Sequence, residues 1–367
     1  NKAKRALNEM NVKGVKTNRA FLLNVLNHPT FRAGMCDTGF IADNPNLLNI
    51  SVKEDKELKV LNFLGEKYVN GNRGIKPEFN IPVFPRIKPA ELNSLKGTRQ
   101  LLEAEGPEGV VKWINSQKKL LITDTTMRDA QQSLMATRVR TVDMEKIAPA
   151  VALYAKDLFS LEMWGGATFD TSYRFLKESP WERLETLREA VPNIMFQMLI
   201  RGANGVGYKN YPDNVIRRFI KESAKSGIDV FRIFDSLNWI EGIQVSLDEV
   251  LNQGKIAEAC MCYTGDILDE SRDKYSLSYY VNMAKELEKR GAHILGIKDM
   301  SGLLKPMAAK KLIEALKNEI SIPVHLHTHD TSGNGVATLM MAANARVDII
   351  DAAFNSMSGL TSQPALN

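Results

Sequence analysis

Eight short apolar runs, each followed by a polar or glycine-bearing loop and then a longer amphipathic stretch, set the architecture open to residues 120–367. The runs are KLLITDTTM, LFSLEMWGG, NIMFQMLIRG, DVFRIFDSL, IAEACMCYTG, HILGIKDM, PVHLHTHD and DIIDAAFN. They begin roughly 25 to 40 residues apart, a spacing that leaves room for one helix between strands. Stretches such as PDNVIRRFIKESAKSG and SLSYYVNMAKELEKRG have helical apolar spacing, and the second stops at Gly291. Eight alternating units predict a closed parallel (β/α)8 barrel. A doubly wound sheet would use fewer strands and open on a glycine-rich nucleotide turn. GANGVG, at 202–207, has the wrong spacing for that turn and follows the third run, so it reads as a loop above the barrel.

The texture differs upstream. Residues 1–47 contain NRAFLLNVLNHP and TFRAGMCDTGFIADNP, an α+β pattern, and VKEDKELKVLNFLGEKYVN follows as a charged helix. Pro77, Pro82, Pro85 and Pro89 mark an extended connector, with a short helix near GPEGVVKWINS. The expected division is therefore 1–47, a connector over 48–117, and the barrel over 118–367. The 48 basic and 43 acidic residues are interleaved, so the charge of +5 forms no basic stripe, and neither nucleic acid nor a membrane surface is expected as a partner. Cys36, Cys260 and Cys262 are too few for a disulfide framework and form no C-x-x-C pair, which favours a reducing compartment. No apolar run reaches the length of a spanning helix. The opening at Asn1 and the loop-like end suggest an excerpt of a longer polypeptide.

Barrel active sites form at the carboxyl ends of the strands, so the polar residues closing each run become the candidates. These are Arg128 and Asp129; Arg201, Asn204 and Tyr208; Asp235 and Asn238; Lys298 and Asp299; and His327 with His329. HLHTHD holds three of the five histidines. Side chains alternate along a strand, so His325, His327 and His329 share one face; the last two can reach a common metal, with His325 a layer deeper. Zinc, manganese or iron suits such imidazoles, with a carboxylate completing the set. Lys298, inward and beside a metal, could act as a base, form a Schiff base, become a carbamate ligand, or simply pair with Asp299 or another carboxylate. Cys260 and Cys262 read as small core residues. The turn at Trp164, Gly165 and Gly166 is expected to bring backbone close to the site.

DTTMRDAQQSLMATRVRT, FSLEMWGGATFD, FRIFDSLN, GIKDMSGLLKP and HLHTHDTSGNG, in this order, resemble the carboxyltransferase domain of the pyruvate carboxylase family. MNVKGVKTNRAFLLNVLNHPTFRAGMCDTGFI resembles the carboxyl-terminal end of a biotin carboxylase domain. The resemblance implies a TIM barrel preceded by a biotin carboxylase tail (1–47) and an allosteric and tetramerisation connector (48–117). It implies that Asp129, rather than Asp124, joins His327 and His329 around Mn2+ or Zn2+, with Lys298 as a carbamylated fourth ligand. Arg128 and Gln132 would hold pyruvate, and Arg201 and Tyr208 would line the pocket near incoming biotin. Gln131 stands where the family usually has His, a position that is not a metal ligand.

The implied reaction carboxylates pyruvate to oxaloacetate. Carboxybiotin on a mobile carrier domain releases carbon dioxide, and the pyruvate enolate attacks it. The resemblance also implies ATP with Mg2+ at the biotin carboxylase site, a homotetramer, and acetyl-CoA or a nucleotide as effector. Its setting would be the cytoplasm of a bacterium or the mitochondrial matrix of a eukaryote. The family's proton-shuttling threonine, ATP-binding core and biotinylated lysine are expected outside these residues. An oxaloacetate decarboxylase or transcarboxylase subunit would use the same barrel, and a regulatory or scaffold fragment would bind metal without chemistry.

Overall fold

The computed structural model describes residues 1–10, 12, 15–50, 56–70, 84–85, 87–271 and 273–366. The chain divides into two compact units, Asn1–Pro82 and Val83–Asn367. In the first, the described elements are helices: Lys2–Glu9, Arg19–Asn27, Pro29–Arg32, Phe40–Asp43 and Lys56–Gly65, with a 3-10 turn at Pro45–Leu48 and a π-helical turn at Glu66–Asn70. No strand occurs among its described residues, so the β part of the α+β pattern has no counterpart there. Among its described residues Phe40 and Leu47 are the buried apolar ones, and His28 meets the Phe40 ring edge-on at 5.1 Å. Of the connector prolines, Pro77 and Pro82 lie outside the described residues, and Pro89 opens a short helix to Asn93.

The second unit is the barrel. Its strands are β1 (Leu121–Asp124), β2 (Ser160–Gly165), β3 (Met195–Ile200), β4 (Val230–Ile233), β5 (Ile256–Cys262), β6 (Ile294–Asp299), β7 (Val324–Thr328) and β8 (Ile349–Ala352). All pair in parallel and in sequence order, β8 closing on β1. Each apolar run thus became a strand, because residues buried on both faces must be apolar almost throughout. Outward residues, among them Leu161, Phe196, Phe231, Met261, Leu295 and Leu326, pack beneath the surrounding helices. Ser179 and Ser276 cap two of these helices, and Gly291, at φ 92°, ends the second of them in the left-handed conformation that favours glycine.

Inward residues stack in layers of different chemistry. At the amino end, Leu121, Phe159, Met195, Val230, Ile256, Ile294 and Ile349 form an apolar floor with Leu102, Val110 and Ile114. Those last three belong to the helix Thr98–Ser116, so this helix, which the sequence reading put in the connector, seals the base of the barrel. Its chain bends at Gly106, at φ 69°, ahead of Pro107. Ile114→Ala removes a buried side chain from that floor and is expected to cost ~2–5 kcal/mol in a urea unfolding series. Metal affinity at the distant mouth should be unchanged; loss of metal without loss of stability would contradict this layering.

Above the floor, the middle layer is charged. Arg232, Glu258, His325, Asp351 and Glu162 are all completely buried. Over it lies the mouth, where Leu199, Phe234, Cys260 and Cys262 make an apolar wall.

Candidate metal centre at the barrel mouth

Three side chains converge where β1 and β7 end. One ligand atom from each of Asp129, His327 and His329 lies within 4.8 Å of the others. Asp129 comes from a π-helical turn, Thr126–Ala130, one residue beyond the end of β1. His327 sits on β7, and His329 follows it by one full pleat, so strand alternation puts both rings on one side. Asp129 Oδ2 is 3.3 Å from each Nε2, and the two Nε2 atoms are 3.0 Å apart.

The outer nitrogens fix how these rings present themselves. His329 Nδ1 donates to the Thr361 carbonyl at 2.6 Å, and His327 Nδ1 donates to Asp351. Each ring therefore turns Nε2 toward Asp129, the usual arrangement of a metal-ligating histidine backed by a second acceptor. Burial, with the charge of Lys298 nearby, pushes His327 down to about 3, so it is neutral. Burial opposes charge on His329 too, but Asp129 overrides it and moves His329 upward. Asp129 is likewise pushed up by burial, yet Arg128 and the histidines hold it well below the ordinary range. Metal binding competes with protons at such ligands, so a divalent cation would take the place of any proton held among the three ligand atoms. Two imidazoles and a carboxylate, all buried and correctly oriented, fit zinc or manganese.

Lys298 lies on β6 directly across from His327 in the strand register, with its side chain buried. Its ammonium is 5.3 Å from the centre of the Phe234 ring. Asp299 does not pair with it: the carboxylate accepts from the Leu303 and Leu304 amides and the Thr328 hydroxyl, and so braces the following loop. Successive strand residues face opposite ways, which is why the pairing fails.

Arg128 is beside the triad, its Nη1 2.8 Å from Asp129 Oδ1 and its Nη2 2.6 Å from Glu162 Oε1. Its buried Nε has no partner among the described residues. Gln132 Oε1 accepts from the Ala167 amide at 2.8 Å. Both side chains close on Gly166: a Cβ there would stand 2.3 Å from Gln132 Oε1 and 3.0 Å from Arg128 Nη1, at φ +54°. The register between β2 and β3 slips at Glu162 and Trp164, and this irregularity aims the glycine turn at Arg128.

Arg201 and Tyr208 form a separate pair on the loop after β3. The guanidinium lies 5.4 Å from the Tyr208 ring and donates to the Gly207 carbonyl at 3.2 Å; burial pushes Arg201 downward. Neither joins the triad. Asn204 is in a 3-10 turn of that loop. Asp235 accepts from the Leu237 and Trp239 amides, and Asn238 donates to the Cys262 carbonyl, so these two shape a loop. Gln131 braces its own turn, donating to the Met127 carbonyl and accepting from the Val139 amide. Asp124, the other β1 carboxylate, accepts from Thr126 and is pushed by burial up to about 7, outside the triad.

Four residues at the site escaped the sequence reading. Gln363 donates to Asp129 Oδ2 at 2.9 Å while its own oxygen accepts from the Thr125 hydroxyl at 2.7 Å. Glu162, Arg232 and Asp351 underlie the triad. For these three a signal was present, since each is a charge in the inward register of an apolar run. Gln363 lies on a loop with no periodicity to reveal it.

The sequence model of the HMGL-like family matches residues 254–361, and that of the biotin carboxylase C-terminal domain matches residues 1–43. Pyruvate carboxylase of Bacillus subtilis (strain 168) is 56% identical over 365 residues, covering 98% of this chain and 32% of that one. The solved carboxyl transferase domain of Rhizobium etli pyruvate carboxylase with pyruvate superposes with a TM-score of 0.76 at 52% identity, covering 85% of this chain and 53% of that one. A Rhizobium etli pyruvate carboxylase variant solved with the allosteric activator acetyl coenzyme A gives 0.75 at 49% identity, covering 100% and 35%. The chain thus spans about a third of the length of the relatives it matches.

Proposed function

This chain belongs with the pyruvate carboxylases over the third of their length that it spans, and from that premise we propose that its barrel performs the carboxyl transfer that turns pyruvate into oxaloacetate. The observation that carries the reading is the meeting of Asp129, His327 and His329 with the buried guanidinium of Arg128 at the barrel mouth. Asp129, His327 and His329 would hold a divalent cation, Mn2+ or Zn2+, with Lys298 as a carbamate fourth ligand. When bound, the cation supplies a positive field at the pyruvate oxygens.

Arg128 and Gln132 bind pyruvate. Arg128 then stabilises the oxygen that becomes negative as a methyl proton leaves, so its charge acts where charge develops. The enolate carbon forms a bond to carbon dioxide released from carboxybiotin, and the biotin ring takes up the proton. Arg201 and Tyr208 line the approach used by the biotin carrier domain. Biotin would be carboxylated with ATP and Mg2+ at the biotin carboxylase site, to which residues 1–47 contribute its end. Residues 48–117 form the connector, whose last helix, Thr98–Ser116, closes the base of the carboxyltransferase barrel of residues 118–367, and the assembly is a homotetramer answering to acetyl-CoA or a nucleotide. The match of residues 1–43 to a biotin carboxylase domain favours this over a decarboxylase or transcarboxylase subunit. Among the described residues no helix is long and apolar enough to cross a membrane.

Lys298→Ala in the full-length enzyme tests the ligand set. Bound metal, measured by elemental analysis, and oxaloacetate formation should both fall at least tenfold, the scale on which metal-site changes act. Near-normal values for both would sink the assignment of Lys298.

A further inference from the structure

We propose that Asp351 is the positioning residue of this centre: its carboxylate holds His327 in the tautomer whose Nε2 lone pair faces Asp129 and His329. The proposal builds on the reading of those residues as metal ligands. A neutral imidazole carries one proton and ligates only through the other nitrogen, so the partner of Nδ1 decides whether Nε2 is available. His327 is 1% exposed, which leaves that choice to its protein neighbours.

Two groups approach His327 Nδ1, and they demand opposite tautomers. Asp351 Oδ2, at 2.5 Å, only accepts; Arg232 Nη1, at 3.4 Å, only donates. The shorter contact prevails because Arg232 Nη1 is already engaged with Asp351 Oδ2. The proton therefore resides on Nδ1 and leaves Nε2 bare.

Asp351 has no freedom to turn away. Its Oδ1 accepts from His325 Nε2 at 2.7 Å and from Arg232 Nη2 at 3.1 Å, so the guanidinium grips both oxygens as a fork. Arg232 is in turn anchored on Glu258 Oε1 at 2.6 Å, and His325 on Glu258 Oε2 at 2.9 Å. The middle layer of the barrel thus forms a rigid seat for one ligand of the layer above. His329 obtains its orientation from the Thr361 carbonyl instead, a backbone acceptor that no side-chain change removes.

The test uses the full-length enzyme, stripped of metal and titrated with Mn2+ against a chelating indicator. In Asp351→Asn the amide can present its NH2 to Nδ1 and drive the ring proton onto Nε2; Mn2+ binding is expected to weaken about 10–100-fold. Ile114→Ala loosens the apolar floor of the barrel without touching the seat of His327 and should bind Mn2+ as the unaltered enzyme does. Equal losses in both variants, or none in Asp351→Asn, would overturn the positioning role. His327→Ala reports on the premise: retained affinity there sinks the metal reading, whereas loss there with none in Asp351→Asn sinks only the role of Asp351. A measurement on the unaltered, metal-free protein stands apart from any folding defect in the variants. Nitrogen-15 spectra of histidine-labelled protein, assigned by a His327→Gln difference, should show the proton on Nδ1, and a proton on Nε2 overturns the proposal.

Discussion

Arg128→Gln in the full-length enzyme is expected to lower kcat for oxaloacetate formation on the order of 10²–10³-fold, the loss that follows removal of one preorganised donor from a developing oxyanion. Metal content should stay near normal, because Asp129 keeps the donation from Gln363 and both histidines keep their outer acceptors. The substitution should also be tolerated by the fold. Arg128 pairs with Glu162, a carboxyl already pushed upward by burial, and without the guanidinium it can take up a proton and remain neutral. Carboxylation of biotin by ATP, a reaction at another site, should proceed at its usual rate and serves as the internal control. Arg128→Lys keeps a charge but not the fork that spans Asp129 and Glu162, so it should restore only part of the rate. Unimpaired carboxyl transfer in Arg128→Gln would favour the scaffold reading, in which the barrel binds metal without chemistry.

The barrel could be read in the sequence because its strands are buried on both faces and its helices on one, so the two periods alternate without ambiguity from β1 to β8. The base was harder to see. Leu102, Val110 and Ile114 resemble the apolar side of any amphipathic helix, and nothing local shows that their helix turns under the strands. At the mouth, alternation alone put His327 and His329 on a common face above His325. Asp129 and Lys298 stood out as polar residues closing their runs, but their joining the two histidines came from resemblance, since a turn residue and a lysine on another strand have no sequence relation to that face. Asp351 was accessible in principle: in DIIDAAFN it is two residues past Ile349, in the same inward register. A charge repeated at that level in FRIF, IAEACMC and HLHTHD points to a buried ionic layer, which a reading confined to strand ends passes over.

Arg232→Met tests that layer and should be the most destabilising of the substitutions considered. Removing one partner from a buried ionic group costs ~3–5 kcal/mol, because the charges left behind have lost both water and their counter-ion. Here Arg232 faces Glu258 at 2.6 Å, Glu162 at 3.9 Å and both oxygens of Asp351, and His325 alone would remain to bridge Glu258 and Asp351. The pH dependence distinguishes this cause from lost packing. In the unaltered protein burial would raise Glu258, but Arg232 and His325 hold it at about 2 against an ordinary 4.5. Its contribution is therefore complete above pH 4.5 and is lost only as pH falls toward 2. Without Arg232 burial dominates, the carboxyl rises above its ordinary value, and the folded variant binds a proton that the unfolded chain does not. Its stability must then increase on mild acidification, where the unaltered protein's share from Glu258 is flat. Urea unfolding followed by circular dichroism at about pH 7 and about pH 5.5 should show the gap between the two proteins narrowing at the lower value. A gap that stays constant would assign the loss to packing and remove the ionic layer from the account of how His327 is seated.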